Sequence, residues 1–199
     1  MKIFLIAIAA LVALTFVIQL YITISTNKTK EQPYKVIQSD KNFEVRYYPA
    51  AIMATVNSNV KSYKALGSSG FRTLAGYIFG GNDANKQIAM TAPVHMAIDD
   101  SISSMSFVMP ANYDMNNLPK PNNASVEINS SKAEYVVAIT FGGFASDEKI
   151  QECTNQLKAL LTLNHINPLG NYRYLGYNPP YQLFGRRNEI IVAVDWEHR

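Results

Sequence analysis

Cysteine is almost absent from this chain. Cys153 stands alone among 199 residues, so no internal disulfide can form and pairing says nothing about the redox compartment. Histidine is nearly as scarce: His95, His165 and His198 lie far apart in sequence. The chain has no CxxC, no HExxH and no GxxxxGK[ST], which excludes the common zinc-binding, metalloprotease and phosphate-loop patterns. Charged residues make up only 17% against 48% apolar ones, the balance of a folded chain. Much of the net charge of +3 sits at the front: Lys2, Lys28, Lys30 and Glu31 account for +2, leaving 15 basic and 14 acidic residues from position 32 onward. A body so close to neutral lacks the clustered Lys and Arg that a nucleic acid requires, so nucleic acid is set aside as a partner. No motif assembles an acid–base pair or an activated nucleophile, and no enzymatic activity is expected.

What the chain does have is a long apolar start. Ile3–Ile24 runs for 22 residues without a charged side chain, about 33 Å as a helix and enough to span the hydrocarbon core of a bilayer. A signal peptide normally has a shorter apolar region, roughly 7–15 residues, ending in small residues. Here the run ends in Leu20, Tyr21 and Ile22, which favours an uncleaved single-pass anchor over an exported soluble protein. Positive charge flanks both ends, leaving the orientation open. The expected division is residues 1–32 as anchor and polar linker (the linker over Thr23–Gln32) and residues 33–199 as one folded domain.

Within that domain the sequence KQIAMTAPVHMAI, Lys86–Ile98, alternates like a strand with one buried face, broken by Pro93, which cannot donate to a ladder. Before it, FRTLAGYIFGG places Phe71, Leu74, Ala75 and Ile78 on one helical face and closes with glycines. Asn57–Ser69 reads as loop with a short helical turn. Ser146 can cap a second helix whose first turn carries Asp147 and Glu148, and whose buried stripe includes Ile150, Cys153 and Leu157. In that stripe Cys153 is expected to be inert. Strands and helices run β-β-helix-β-β twice. The expected fold is α+β: a distorted antiparallel β-barrel with two flanking helices in a pseudo-twofold duplicated arrangement, plus an N-terminal transmembrane helix.

Several stretches stand in a characteristic order: FEVRYYP at 43–49, FRTLAGYIFGGN at 71–82, IAMTAPV at 88–94, MP at 109–110, FGG at 141–143, GYNPP at 176–180 and RRNE at 186–189. Over roughly residues 33–196 the chain resembles the SOUL/haem-binding protein family. The resemblance implies a pseudo-twofold barrel with two helices and the binding of haem or another tetrapyrrole, without covalent attachment and without catalysis in most members. It further implies an apolar groove beside the first helix. One branch of the family has a proposed histidine ligand a little after the strand matching Ala51–Val56, but this chain reads Asn57-Ser58-Asn59-Val60-Lys61 there.

For such a groove the candidate lining is Phe71, Leu74, Ala75, Ile78, Met90, Ala92 and Val94, residues that would otherwise simply fill the core. Arg72, with Lys61, Lys64 and Lys86 nearby in sequence, is the first candidate to meet a propionate, against the plainer reading of a solvated charge. His95 is the remaining candidate iron ligand, although strand parity puts it on the face opposite Met90 and Val94. Of Arg186 and Arg187, neighbours on a strand, one is expected to turn inward and pair with a carboxylate. The expectation is a membrane-anchored tetrapyrrole-binding protein. The alternatives are a protein-interaction domain with a filled interior and a sensor of a different small amphiphile.

Overall fold

The computed structural model describes residues 1–99 and 101–196; His198 lies outside them. In chain order the elements are α1 (Lys2–Thr26), β1 (Lys30–Glu31), β2 (Lys35–Ser39), β3 (Glu44–Tyr48), β4 (Ile52–Ser58), α2 (Tyr63–Ile78), β5 (Thr91–Ala92), β6 (Val94–Ala97), β7 (Ser103–Val108), β8 (Val126–Ser130), β9 (Glu134–Gly142), α3 (Asp147–Leu163), β10 (Pro168–Gly176) and β11 (Arg187–Val194).

Nine strands form one antiparallel sheet in the order β2-β3-β9-β11-β10-β6-β7-β4-β8. The duplication is visible in that order. In the first half β4, β6 and β7 lie as β6-β7-β4; in the second, their counterparts β9, β10 and β11 lie as β10-β11-β9. Each half sends its leading strand to the other: β3 pairs with β9, and β8 with β4. This exchange carries β2 and β8 to opposite edges, where they do not pair with each other. The expected barrel is therefore an open, curved sheet.

Both helices lie on one face. α2 packs on β7, β4 and β8, and α3 on β11, β9 and β10, with the main core between helices and sheet. Ser146 caps α3 as expected, its Oγ accepting from Lys149 N at 3.2 Å. α2 begins eight residues earlier than Phe71, with Ser62 Oγ accepting from Ala65 N at 3.1 Å. Its first turns contain Gly67 and Gly70, poor helix formers in isolation. At Gly70 an added Cβ would stand 3.2 Å from Met105, so the missing side chain lets the helix approach β7 closely. Pro93 divides the expected central strand in two. β5 pairs in parallel with β1, and β6 joins the main sheet beside β10. Residues 30–32 are thus part of the fold, and the expected linker is confined to the few residues after α1.

The opposite face of the sheet holds a smaller apolar cluster around Val136, Leu175 and Ile191 and a buried ionic network. Glu189, fully buried, accepts from Arg46 at 2.8 and 3.1 Å, from Arg187 at 2.8 and 3.1 Å and from the Tyr177 hydroxyl at 2.8 Å. Arg46 also pairs with Glu44, and Arg187 with Glu31. Burial alone would raise the Glu189 carboxyl, but the hydrogen bonds and charge of Arg46, with those of Arg187, outweigh it and hold the group below the usual range. The inward turn expected of one arginine is made by Arg187. Removing the carboxylate takes from the buried Arg46 guanidinium its bidentate partner, leaving it only Glu44, so Glu189→Gln is expected to cost about 3–5 kcal/mol. Urea unfolding at pH 7 checks this, and a loss below about 1 kcal/mol would show that the cluster is not a structural pin.

Candidate functional site

Between the areas covered by α2 and α3, the helix-side face of the central pair β6–β10 is the floor of a groove of about 400 Å³. Small-molecule sites usually occupy about 300–1,000 Å³. The antiparallel register sets Met96 opposite Tyr174 and Val94 opposite Gly176, which places these four residues together on the floor. Gly67 and Phe71 of α2 form one wall; Asn178–Tyr181, after β10, form another. Ser25 and Thr26 at the end of α1, with Thr29, border a third side.

Specific contacts hold these groups in place. The Tyr174 hydroxyl donates to Asn188 Oδ1 at 2.7 Å, and its ring meets Tyr63 edge-on at 5.8 Å between centroids. Phe71 is similarly placed on Phe107 at 5.3 Å. Arg186 donates to the carbonyls of Pro179 and Gln182, and Arg187 N donates to Asn178 Oδ1, which shapes the loop beyond β10. Three of the seven methionines, Met90, Met96 and Met105, reach the groove from separate positions in the chain. Their unbranched, polarizable side chains can adjust to a ligand's outline. Gly67 leaves room: a Cβ there would meet only the Met96 methyl, at 3.9 Å.

The candidates from sequence divide into three groups. Met90 and Val94 line the groove, as do Phe71 and Ala92. Leu74, Ala75 and Ile78 are buried in contact with the sheet, on the helical face next to the one that borders the groove. Arg72 is exposed and is not part of the lining, nor are Lys61, Lys64 and Lys86. Among the described residues, none that lines the groove is charged. His95 faces the other side of the sheet, as its parity required. There its Nε2 lies 2.8 Å from Gln32 Oε1, while Nδ1 is buried without a partner. An amide oxygen only accepts, so Nε2 carries the proton. His95 is therefore corrected from an iron ligand to a tie between residue 32 and the sheet. Cys153 is buried in α3, with burial raising its thiol pKa. Among the described residues, no three His, Cys, Asp or Glu side chains are grouped to hold a metal ion.

Residues 29–193 match the sequence profile of the SOUL heme-binding protein family. The chain belongs to that family. Similar proteins include Heme-binding protein 2 of Mus musculus, 30% identical over 164 residues, covering 75% of this chain and 76% of that protein. Another is Heme-binding protein 1 of the same species, 28% identical over 173 residues and covering 81% and 90% respectively. Among solved structures, the EcmrR C-terminal domain superimposes with a TM-score of 0.59 at 12% identity, covering 81% of this chain and 98% of that one. A hydrolase from Listeria innocua gives 0.56 at 6% identity, covering 80% and 94%. At such identities these two show a shared fold alone.

Met96, Met105 and Tyr174 of this SOUL domain were not singled out from sequence, and the 178–181 loop entered only through the GYNPP motif at 176–180, not as a groove wall. They meet only through strand pairing. A weak local signal existed for the start of α2, since a Ser cap at position 62 is followed by glycines five and eight positions later, small residues that let a helix lie close to a sheet.

His95 also makes stability depend on pH. Burial first, then the nearby charge of Arg173, push its pKa down from 6.5 to about 3. The unfolded chain therefore binds the extra proton between those values, and stability falls as pH drops below 6.5. Between pH 7 and pH 5 the loss is expected to be about 2 kcal/mol, above the range in which carboxylates titrate. His95→Gln should remove most of that slope in urea unfolding. An unchanged slope would show that the imidazole is not held neutral.

Proposed function

We propose that this chain is a binding protein for haem or another tetrapyrrole, held in the groove over β6 and β10 and tethered to a membrane by α1. The observation that carries the reading is the groove itself: apolar, rich in methionine and aromatic rings, and set on the central strand pair of a SOUL domain. The names of its relatives point to the same ligand class. α1 supports the tether by its length of 25 residues and its exposed apolar side chains, a combination that a signal sequence also has. The proposed role is binding, in keeping with the family and with the names of its relatives.

The lining fits the faces of a macrocycle better than it fits an iron. Of the usual axial ligands it provides thioethers and phenols, but no histidine and no thiolate. Haem would supply an iron; Phe71, Met96 and Tyr174 would hold the ring and exclude water from its faces. The absence of charged lining groups favours a second reading, a smaller uncharged amphiphile in the same groove.

Titration of the full chain in detergent with hemin and with protoporphyrin separates these cases. The expected result is saturable binding of both in the micromolar range, with affinities within about threefold, or less than 1 kcal/mol. Gly67→Leu should fill the groove and weaken both by about tenfold or more. It should also raise unfolding stability by about 0.5–1 kcal/mol, because glycine is the poorer helix former. Failure of both porphyrins to bind, with retained binding of an uncharged apolar dye, would replace the tetrapyrrole reading with the second one. Unchanged porphyrin binding in Gly67→Leu would remove the groove as the site.

A further inference from the structure

The segment between β10 and β11 is fastened to α1 in an unusual way. Gln19, the one buried residue of α1, donates through Nε2 to the Tyr181 carbonyl at 3.1 Å and accepts from Leu183 N at 2.9 Å. Gln19 lies five residues before Ile24, the end of the uncharged run, and so ~7.5 Å inside it along the helix. If that run occupies the hydrocarbon layer, the chain at 181–184 must sit at the border between lipid headgroups and acyl chains.

Two further features fit that depth. Residues 178–185 carry no charge, and the side chains they present outward are Tyr181 (63% exposed), Leu183 (47%) and Phe184 (62%). Aromatic rings of this kind are favoured at a bilayer interface. Part of the backbone is also already paired, which lowers the cost of placing non-helical chain at that depth. Arg186 Nη1 donates to the carbonyls of Pro179 and Gln182, Gln182 Nε2 donates to the Phe184 carbonyl, and Gln182 N donates to Pro179 O. With the two Gln19 contacts, five of the eight main-chain N–H and C=O groups of residues 181–184 are paired within the protein.

We infer that Tyr181, Leu183 and Phe184 form a second membrane contact, inserted shallowly into the lipid surface beside α1. Because Tyr181, Ser25 and Thr26 also border the groove, this contact holds the groove against the bilayer, where an apolar ligand dissolved in lipid can reach it. The inference rests on the reading of α1 as a membrane anchor, and the test separates the two.

Single cysteines replace Leu11, Phe184 and Leu163 in turn and are labelled with a nitrobenzoxadiazole fluorophore; Cys153 is buried and does not compete. Leu163 is the control: exposed at the end of α3, it lines the same surface recess as Asn42, in the β2–β3 turn at the end of β2 remote from α1. The full chain is reconstituted into phosphatidylcholine vesicles containing nitroxide lipids, labelled either near the headgroup or near the chain ends. The Leu11→Cys label should be quenched most by chain-end nitroxides. The Phe184→Cys label should be quenched several-fold more by headgroup-proximal nitroxides than the Leu163→Cys label. Quenching at Leu11→Cys without quenching at Phe184→Cys overturns the loop contact and leaves the anchor intact. Equal quenching at Phe184→Cys and Leu163→Cys overturns it as well, since the adsorption is then unspecific. No quenching at Leu11→Cys overturns the anchor and the inference together.

Discussion

Two helices cannot cover this sheet. Nine strands at about 4.8 Å spacing make a layer roughly 38 Å across, whereas two helices with their side chains cover about 24 Å at most. Each helix is drawn to the middle of its own half, α2 over β7 and β4, α3 over β11 and β9. The shortfall therefore falls where the halves meet, on β6 and β10. An apolar strip left there must be filled by side chains from elsewhere or by a ligand. Gly67 and Gly176 supply little bulk at this point, so the strip remains a groove.

A separate set of polar contacts ties the strands together on the other face. The Arg46–Glu189–Arg187 network joins β3 to β11, and the Tyr177 hydroxyl brings in the chain just after β10. Gln32 and His95 attach the segment after α1 to β6. The two functions are thereby separated: fixed, desolvated charge on one side of the sheet, and adjustable thioethers on the other. A ligand can displace methionine side chains without disturbing the contacts that keep the strands in register.

Much of this was legible from sequence for local reasons. The Ser146 cap, the break at Pro93, the buried Cys153 and the inward arginine follow from short-range chemistry. The orientation of His95 follows from strand parity alone. What was missed depends on contacts between distant residues. The start of α2 was hidden because Gly67, Ser68, Ser69 and Gly70 have weak helix propensity, and the close packing on Met105 and Val56 that explains Gly70 is a contact between distant residues. The open sheet depends on the exchange of β3 and β8 between halves, which no local pattern encodes. Helical periodicity correctly put Leu74, Ala75 and Ile78 on an apolar face, but it cannot distinguish the part of that face pressed on the sheet from the edge that borders a groove.

The central claim, that a flat ligand lies over the central strand pair, is tested most directly by NMR of methionine methyl groups with metal-free protoporphyrin, whose ring current shifts nearby protons strongly. The account predicts large shifts for Met90, Met96 and Met105, with Met53, Met109 and Met115, which do not line the groove, essentially unmoved. Shifts concentrated on those last three, or none at all under saturating ligand, would contradict it.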